Sequence, residues 1–231
     1  MRITTVGFDA DDTLWHNETI FRLTQDRLRG LMSDFAAPET LNAKLAEVEK
    51  RNLRLYGYGV KGFTLSMIET AMDLTDQAPP GRLIADILAA GREMLSHPVE
   101  PLPGVETALA DLADGYRLVL ITKGDLLHQE QKLAASGLGE LFAAVEIVSE
   151  KDARTYETVF GRHGTGAAQA AMCGNSLRSD VLPALEAGCY AAHVPYPITW
   201  EHEMADPPQG HPRFAELATI GDLPAWVRAL S

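Results

Sequence analysis

The feature that most constrains this chain is a repeated change of period between residues 98 and 231. Short β-rich apolar runs at 116–121, 144–148, 170–173 and 190–194 alternate with helical patterns at 105–113, 126–136, 155–163 and 180–187. Gly137 and Gly188 stop two of those helices. Strands and helices in alternation imply βαβ units with right-handed crossovers, hence an open parallel sheet covered on both faces. Residues 3–8 form one more apolar run, read as a buried strand that ends at Asp9. A polar, Pro-rich loop at 195–212 precedes an edge strand at 214–220 and a closing helix at 223–230. The expected class is α/β, a doubly wound, Rossmann-like parallel sheet.

Residues 18–96 read differently. Apolar residues recur at spacings of three and four, as in Leu41, Leu45 and Val48, or Ile84, Ile87 and Leu88. Breaks fall at Ala37-Pro38, at Tyr56-Gly57-Tyr58-Gly59 and at Ala78-Pro79-Pro80-Gly81, giving four helices with no strand among them. This block is expected to be an all-helical cap domain, 17–97, inserted into a sheet domain made of 1–16 and 98–231.

The formal net charge is −12 and the pI about 5.0. That balance argues against nucleic acid or an anionic membrane as a general partner, since both demand clustered Lys and Arg. Cys173 and Cys189 are too few for a disulfide framework and are expected to be buried and reduced. The N-terminus lacks the pattern of a secretory signal, and no apolar run reaches the length of a membrane span. A cytoplasmic protein, monomeric or homodimeric, is the expectation.

In an open α/β sheet, ligands bind at the carboxyl ends of the strands. Asp9 and Asp11 follow the first strand, Thr122 and Lys123 the second, Ser149 and Lys151 the third, and Asn175, Ser176 and Asp180 the fourth. Buried carboxylates set together are costly and need a reason. Three acids, a hydroxyl and a lysine converging on one sheet edge suit a hard, oxygen-ligated dication and a bound phosphate.

These residues also carry a resemblance. Phe8-Asp9-Ala10-Asp11-Asp12-Thr13-Leu14 resembles the first motif of the haloacid dehalogenase superfamily. Leu120-Ile121-Thr122-Lys123-Gly124 resembles its second motif, Lys151 its third, and Gly174-Asn175-Ser176-Leu177-Arg178-Ser179-Asp180 its fourth. The resemblance spans residues 1–13 and about 100–200, with the helical block where one branch of the family carries a cap. It implies a phosphatase of the phosphoglycolate phosphatase or nucleotidase kind. Asp9 is then the nucleophile and Asp11 the acid and base, with a neighbouring Asp9 charge and desolvation expected to raise the proton affinity of Asp11. Thr122 and Lys123 bind the phosphoryl group and substrate, and Lys151 neutralises Asp9. Mg2+ is held by Asp9, the Asp11 carbonyl, Asp180 and Asn175. The fourth motif opens with Asn175 where the family has Asp, which implies weaker metal binding rather than its loss.

Asp11 also separates functions within the family, because true dehalogenases lack an acid there. A small phosphorylated metabolite is the expected substrate. The alternatives are a phosphomutase, a 2-haloacid dehalogenase and a non-catalytic phospholigand-binding module. The stretch Arg51, Arg54, Tyr56, Tyr58, Lys61 offers Lys61 as a specificity residue, beside the plainer reading of a solvated helix end.

Overall fold

A computed structural model describes residues 2–200 and 203–230, so residues 201–202 of the 195–212 loop lie outside the described residues. Among the described residues, β1 (Thr5–Phe8) leads into the helices α1 (Glu18–Leu31), α2 (Pro38–Tyr56), α3 (Val60–Leu74) and α4 (Gly81–Leu95). There follow α5 (Val105–Ala113), β2 (Arg117–Lys123), α6 (Leu126–Ser136), β3 (Ala144–Val148) and α7 (Ala153–His163). The chain continues through β4 (Ala170–Gly174), α8 (Leu182–Glu186), β5 (Tyr190–His193), β6 (Phe214–Glu216) and α9 (Leu223–Ala229). All strand pairs are parallel, in the order β3-β2-β1-β4-β5-β6. The α/β, doubly wound class read from the sequence is the class observed.

The two-residue period of the strands distributes their side chains between two cores. Val6, Phe8, Leu118, Leu120, Ala171 and Cys173 join Leu109 and Leu112 of α5 and Leu223 and Val227 of α9 on one face. Val119, Ile121, Ala170 and Met172 join Tyr156, Val159 and Phe160 of α7 on the other. Each Val, Leu, Ile, Phe or Met among them, taken fully from water, contributes roughly 1.5–3 kcal/mol. Gly7 faces the second core, where a Cβ would meet the Phe160 ring at 2.7 Å.

Two compact units result: residues 1–18, 99–123 and 129–231 in one, and 19–98 with 124–128 in the other. The second has its own core, in which Leu28, Leu41, Leu45, Phe63, Met67, Leu83 and Ile87 pack together. Strand connections diverge at the β1/β4 boundary of the first unit. That is the switch point at which open sheets place ligands.

Candidate active site

β1 delivers Asp9 to the switch point, 7% exposed. Its Oδ1 accepts from Lys151 Nζ at 2.5 Å, and its Oδ2 accepts from the Thr13 hydroxyl at 2.8 Å. Lys151 Nζ also donates to Asp180 Oδ1 at 2.7 Å. Asp180 Oδ2 accepts from the Ser176 amide at 3.0 Å. The Thr13 hydroxyl lies 3.3 Å from Asn175 Oδ1 and accepts from the Asn175 amide at 3.0 Å. Asp9, Lys151, Asp180 and Asn175 are thereby one connected network. Gly174 is part of its construction, because a Cβ there would overlap the Asp180 carboxylate.

Burial disfavours a charged Lys151, but Asp180 and Asp9 outweigh it and hold the ammonium well above its ordinary value. Burial and the Asp180 charge push the Asp9 carboxyl up to about 7, against Lys151. Two buried acids share one ammonium, so the site carries excess negative charge lined with hard oxygen donors. Such a donor set fits a hard dication. Among the described residues no three His, Cys, Asp or Glu side chains meet as a ligand set. A metal here therefore depends on two carboxylates completed by amide or main-chain oxygens, as Asn175 and Asp11 offer.

Asp11 belongs to a second network. Its Oδ1 accepts from Trp15 Nε1 at 2.7 Å and Lys132 Nζ at 2.5 Å, and its Oδ2 from Gln129 Nε2 at 3.1 Å. The expected rise in its proton affinity is corrected here. Burial does push the carboxyl upward, but the Lys132 charge and the donors from Lys132, Trp15 and Gln129 prevail and hold it below the usual carboxylate value. Thr122 lies within β2 rather than after it. Buried there, it accepts from Gln129 at 2.8 Å. Lys123, also within β2, donates to Ser179 Oγ at 2.9 Å and Glu203 Oε1 at 2.7 Å. Glu203 further accepts from Ser176 at 2.5 Å and from Ser179. Burial works to raise the Glu203 carboxyl, yet Lys123 and these hydroxyls hold it low.

Lys61 lies in the helical unit, its ammonium 2.9 Å from both oxygens of Asp125. Arg51 and Tyr56 are both bound to Glu69, at 2.6 and 3.0 Å. Sequence reasoning missed Lys132, Gln129 and Glu203. The signal for the first two was present: His128, Gln129, Lys132 and Ser136 set polar groups at helical spacing along α6, and all four are buried. Glu203 sits in a loop without periodicity and had no such signal.

A family model described as haloacid dehalogenase-like hydrolase matches residues 3–188. A haloacid dehalogenase-like family hydrolase from Xanthomonas campestris superposes with a TM-score of 0.88 at 44% identity, covering 99% of this chain and 91% of that one. The glyceraldehyde 3-phosphate phosphatase of Methanothermobacter thermautotrophicus is 27% identical over 203 residues, 84% of this chain and 86% of its own. The L-2-haloacid dehalogenase of Xanthobacter autotrophicus, with chloropropionic acid covalently bound, shares the fold. Its TM-score is 0.67 at 19% identity, covering 99% of this chain and all (100%) of that one.

Proposed function

Because the chain belongs to the haloacid dehalogenase-like hydrolases, we propose that it is a magnesium-dependent phosphatase acting on a small phosphorylated metabolite through an aspartyl phosphate on Asp9. One observation carries this reading over dehalogenation: a second carboxyl, Asp11, stands in its own network beside Asp9. An alkoxide leaving group needs a proton, whereas a departing halide does not. The 27% identical phosphatase supports a small phosphate ester as substrate.

Asp9, fixed by Lys151 and Thr13, attacks phosphorus. Asp11 protonates the leaving oxygen from its protonated form, a fraction that its donors keep small, then takes a proton from the water that cleaves the aspartyl phosphate. Thr122 donates to a phosphoryl oxygen, Lys123 contributes positive charge toward the substrate, and Lys151 balances charge at Asp9. Mg2+ would be held by Asp9, Asp180, the Asp11 carbonyl and Asn175, and when bound it neutralises phosphoryl charge. Asn175 adds no charge of its own, which weakens the site. Lys61 remains the specificity candidate of the helical unit. The two buried, unpaired thiols are compatible with a cytoplasmic setting.

The test is phosphate release from p-nitrophenyl phosphate and a panel of metabolite phosphates, with and without magnesium. Asp9→Asn is expected to lose at least about 10³-fold in kcat, the scale on which nucleophile removal acts. Near-normal turnover by Asp9→Asn sinks the nucleophile, and chloride release from a 2-haloacid in place of phosphate release favours the dehalogenase.

A further inference from the structure

Gln129 and Lys132 stand one turn apart on α6 and are 3% and 8% exposed. Neither is accounted for by packing, since their polar ends meet at Asp11. Lys132 Nζ reaches Asp11 Oδ1 at 2.5 Å and Asn17 Oδ1 at 3.3 Å. Gln129 Nε2 has two hydrogens and three acceptors: Asp11 Oδ2 at 3.1 Å, Thr122 Oγ1 at 2.8 Å and the Lys123 carbonyl at 2.7 Å. Its Oε1 is buried without a hydrogen-bond partner. Turning the amide over sets that oxygen against a carboxylate and a carbonyl, so the surroundings favour the donor-inward orientation. Gln129 donates to Thr122 Oγ1, and the Thr122 hydroxyl in turn donates to the Lys123 carbonyl at 3.3 Å.

We propose that α6 carries a positioning pair. Lys132 and Gln129 aim the Asp11 carboxyl at the leaving-group oxygen. This rests on the phosphatase reading above. An Asp9–phosphorus bond forms as the ester P–O bond breaks, and the leaving oxygen takes the Asp11 proton. Water then attacks phosphorus, Asp11 recovers a proton from it, and the aspartyl P–O bond breaks to release inorganic phosphate. Both proton transfers demand that one carboxyl be held in one place, and misplacement by an ångström costs rate steeply. A buried ion pair is in general no more stabilising than apolar residues of the same volume. Fixing the geometry of Asp11 is what this one adds.

Leaving-group dependence separates positioning from scaffolding. An aryl phosphate departs with little need of a proton, while an alkyl phosphate such as glycerol 2-phosphate requires one. Lys132→Met and Gln129→Leu are expected to lose at least about tenfold more kcat on the alkyl than on the aryl ester, a lower bound for impaired general acid catalysis. Gln129→Leu leaves no charge unpaired, so it serves where Lys132→Met folds poorly. In an Asp11→Asn background, where no buried carboxylate is orphaned, Lys132→Met is expected to add no further loss. Equal losses on both esters, or a full multiplicative loss in that background, overturn the pair. Wild-type protein that cleaves neither ester removes the phosphatase reading and this proposal together, whereas active wild type with equal losses removes the proposal alone.

Discussion

Asp12 stands one place beyond Asp11 in the left-handed region, at φ 63, where Asp and Asn are better tolerated than most residues. Its oxygens accept from the amides of Asn17 and Glu18 at 2.8 and 3.0 Å, closing the turn that starts α1. Burial pushes its carboxyl up to about 7, although those amides oppose the rise. An acid whose folded pKa is raised holds its proton in the folded chain while the unfolded chain has lost it. Its contribution to stability is therefore full below the unfolded value near 4 and is lost as pH rises toward 7. Asp12→Asn keeps an acceptor and the backbone preference but removes this loss. Urea unfolding of both proteins should show the variant gaining at least about 1 kcal/mol on wild type between pH 4.5 and 8. A difference independent of pH counts against the buried acid. The sequence announced that these acids matter, because they follow a buried strand. It did not announce that Asp11 is clamped by α6, since that depends on residues more than a hundred positions away.

At the scale of elements, strand and helix periods made the sheet, its class and the four helices of the insert legible. What they misjudged was the end of the fourth βα unit, read as one helix over 180–187. The structure instead has a π-helical turn at Leu177–Val181 followed by the short α8. Pro183 explains the change. It has no amide to bond Ser179, and its ring crowds that carbonyl. Ser179 O accepts instead from the Tyr156 hydroxyl at 2.8 Å, a long-range partner no local pattern shows. The wider turn brings Asp180 back under Ser176, with its carboxylate at Lys151. Tyr156→Phe leaves the Ser179 carbonyl without its donor in a buried place. Thermal or urea unfolding should register a loss of about 1–3 kcal/mol. An unchanged midpoint means that the turn holds without α7.

At the scale of the whole molecule, the sheet unit and the helical unit each have a separate apolar core. The carboxylates that would hold magnesium, Asp9 and Asp180, both belong to the sheet unit. A ligand stabilises what binds it, by about 2.7 kcal/mol at a hundred times its dissociation constant. Amide hydrogen exchange with added magnesium should slow in β1, β4 and the turn before α8 more than in α2 and α3. Equal slowing throughout argues for one cooperative body, and no slowing argues against the metal. Exchange is not the only way to watch the sheet open. Cys173 lies inside β4 and Cys189 just ahead of β5, both sealed from solvent, and burial raises the Cys189 thiol to about 12. Thiolates react and thiols do not, so an alkylating reagent finds nothing to attack until these strands part. The two sulfurs thus act as a natural recorder: each alkylated chain has passed at least once out of its closed state.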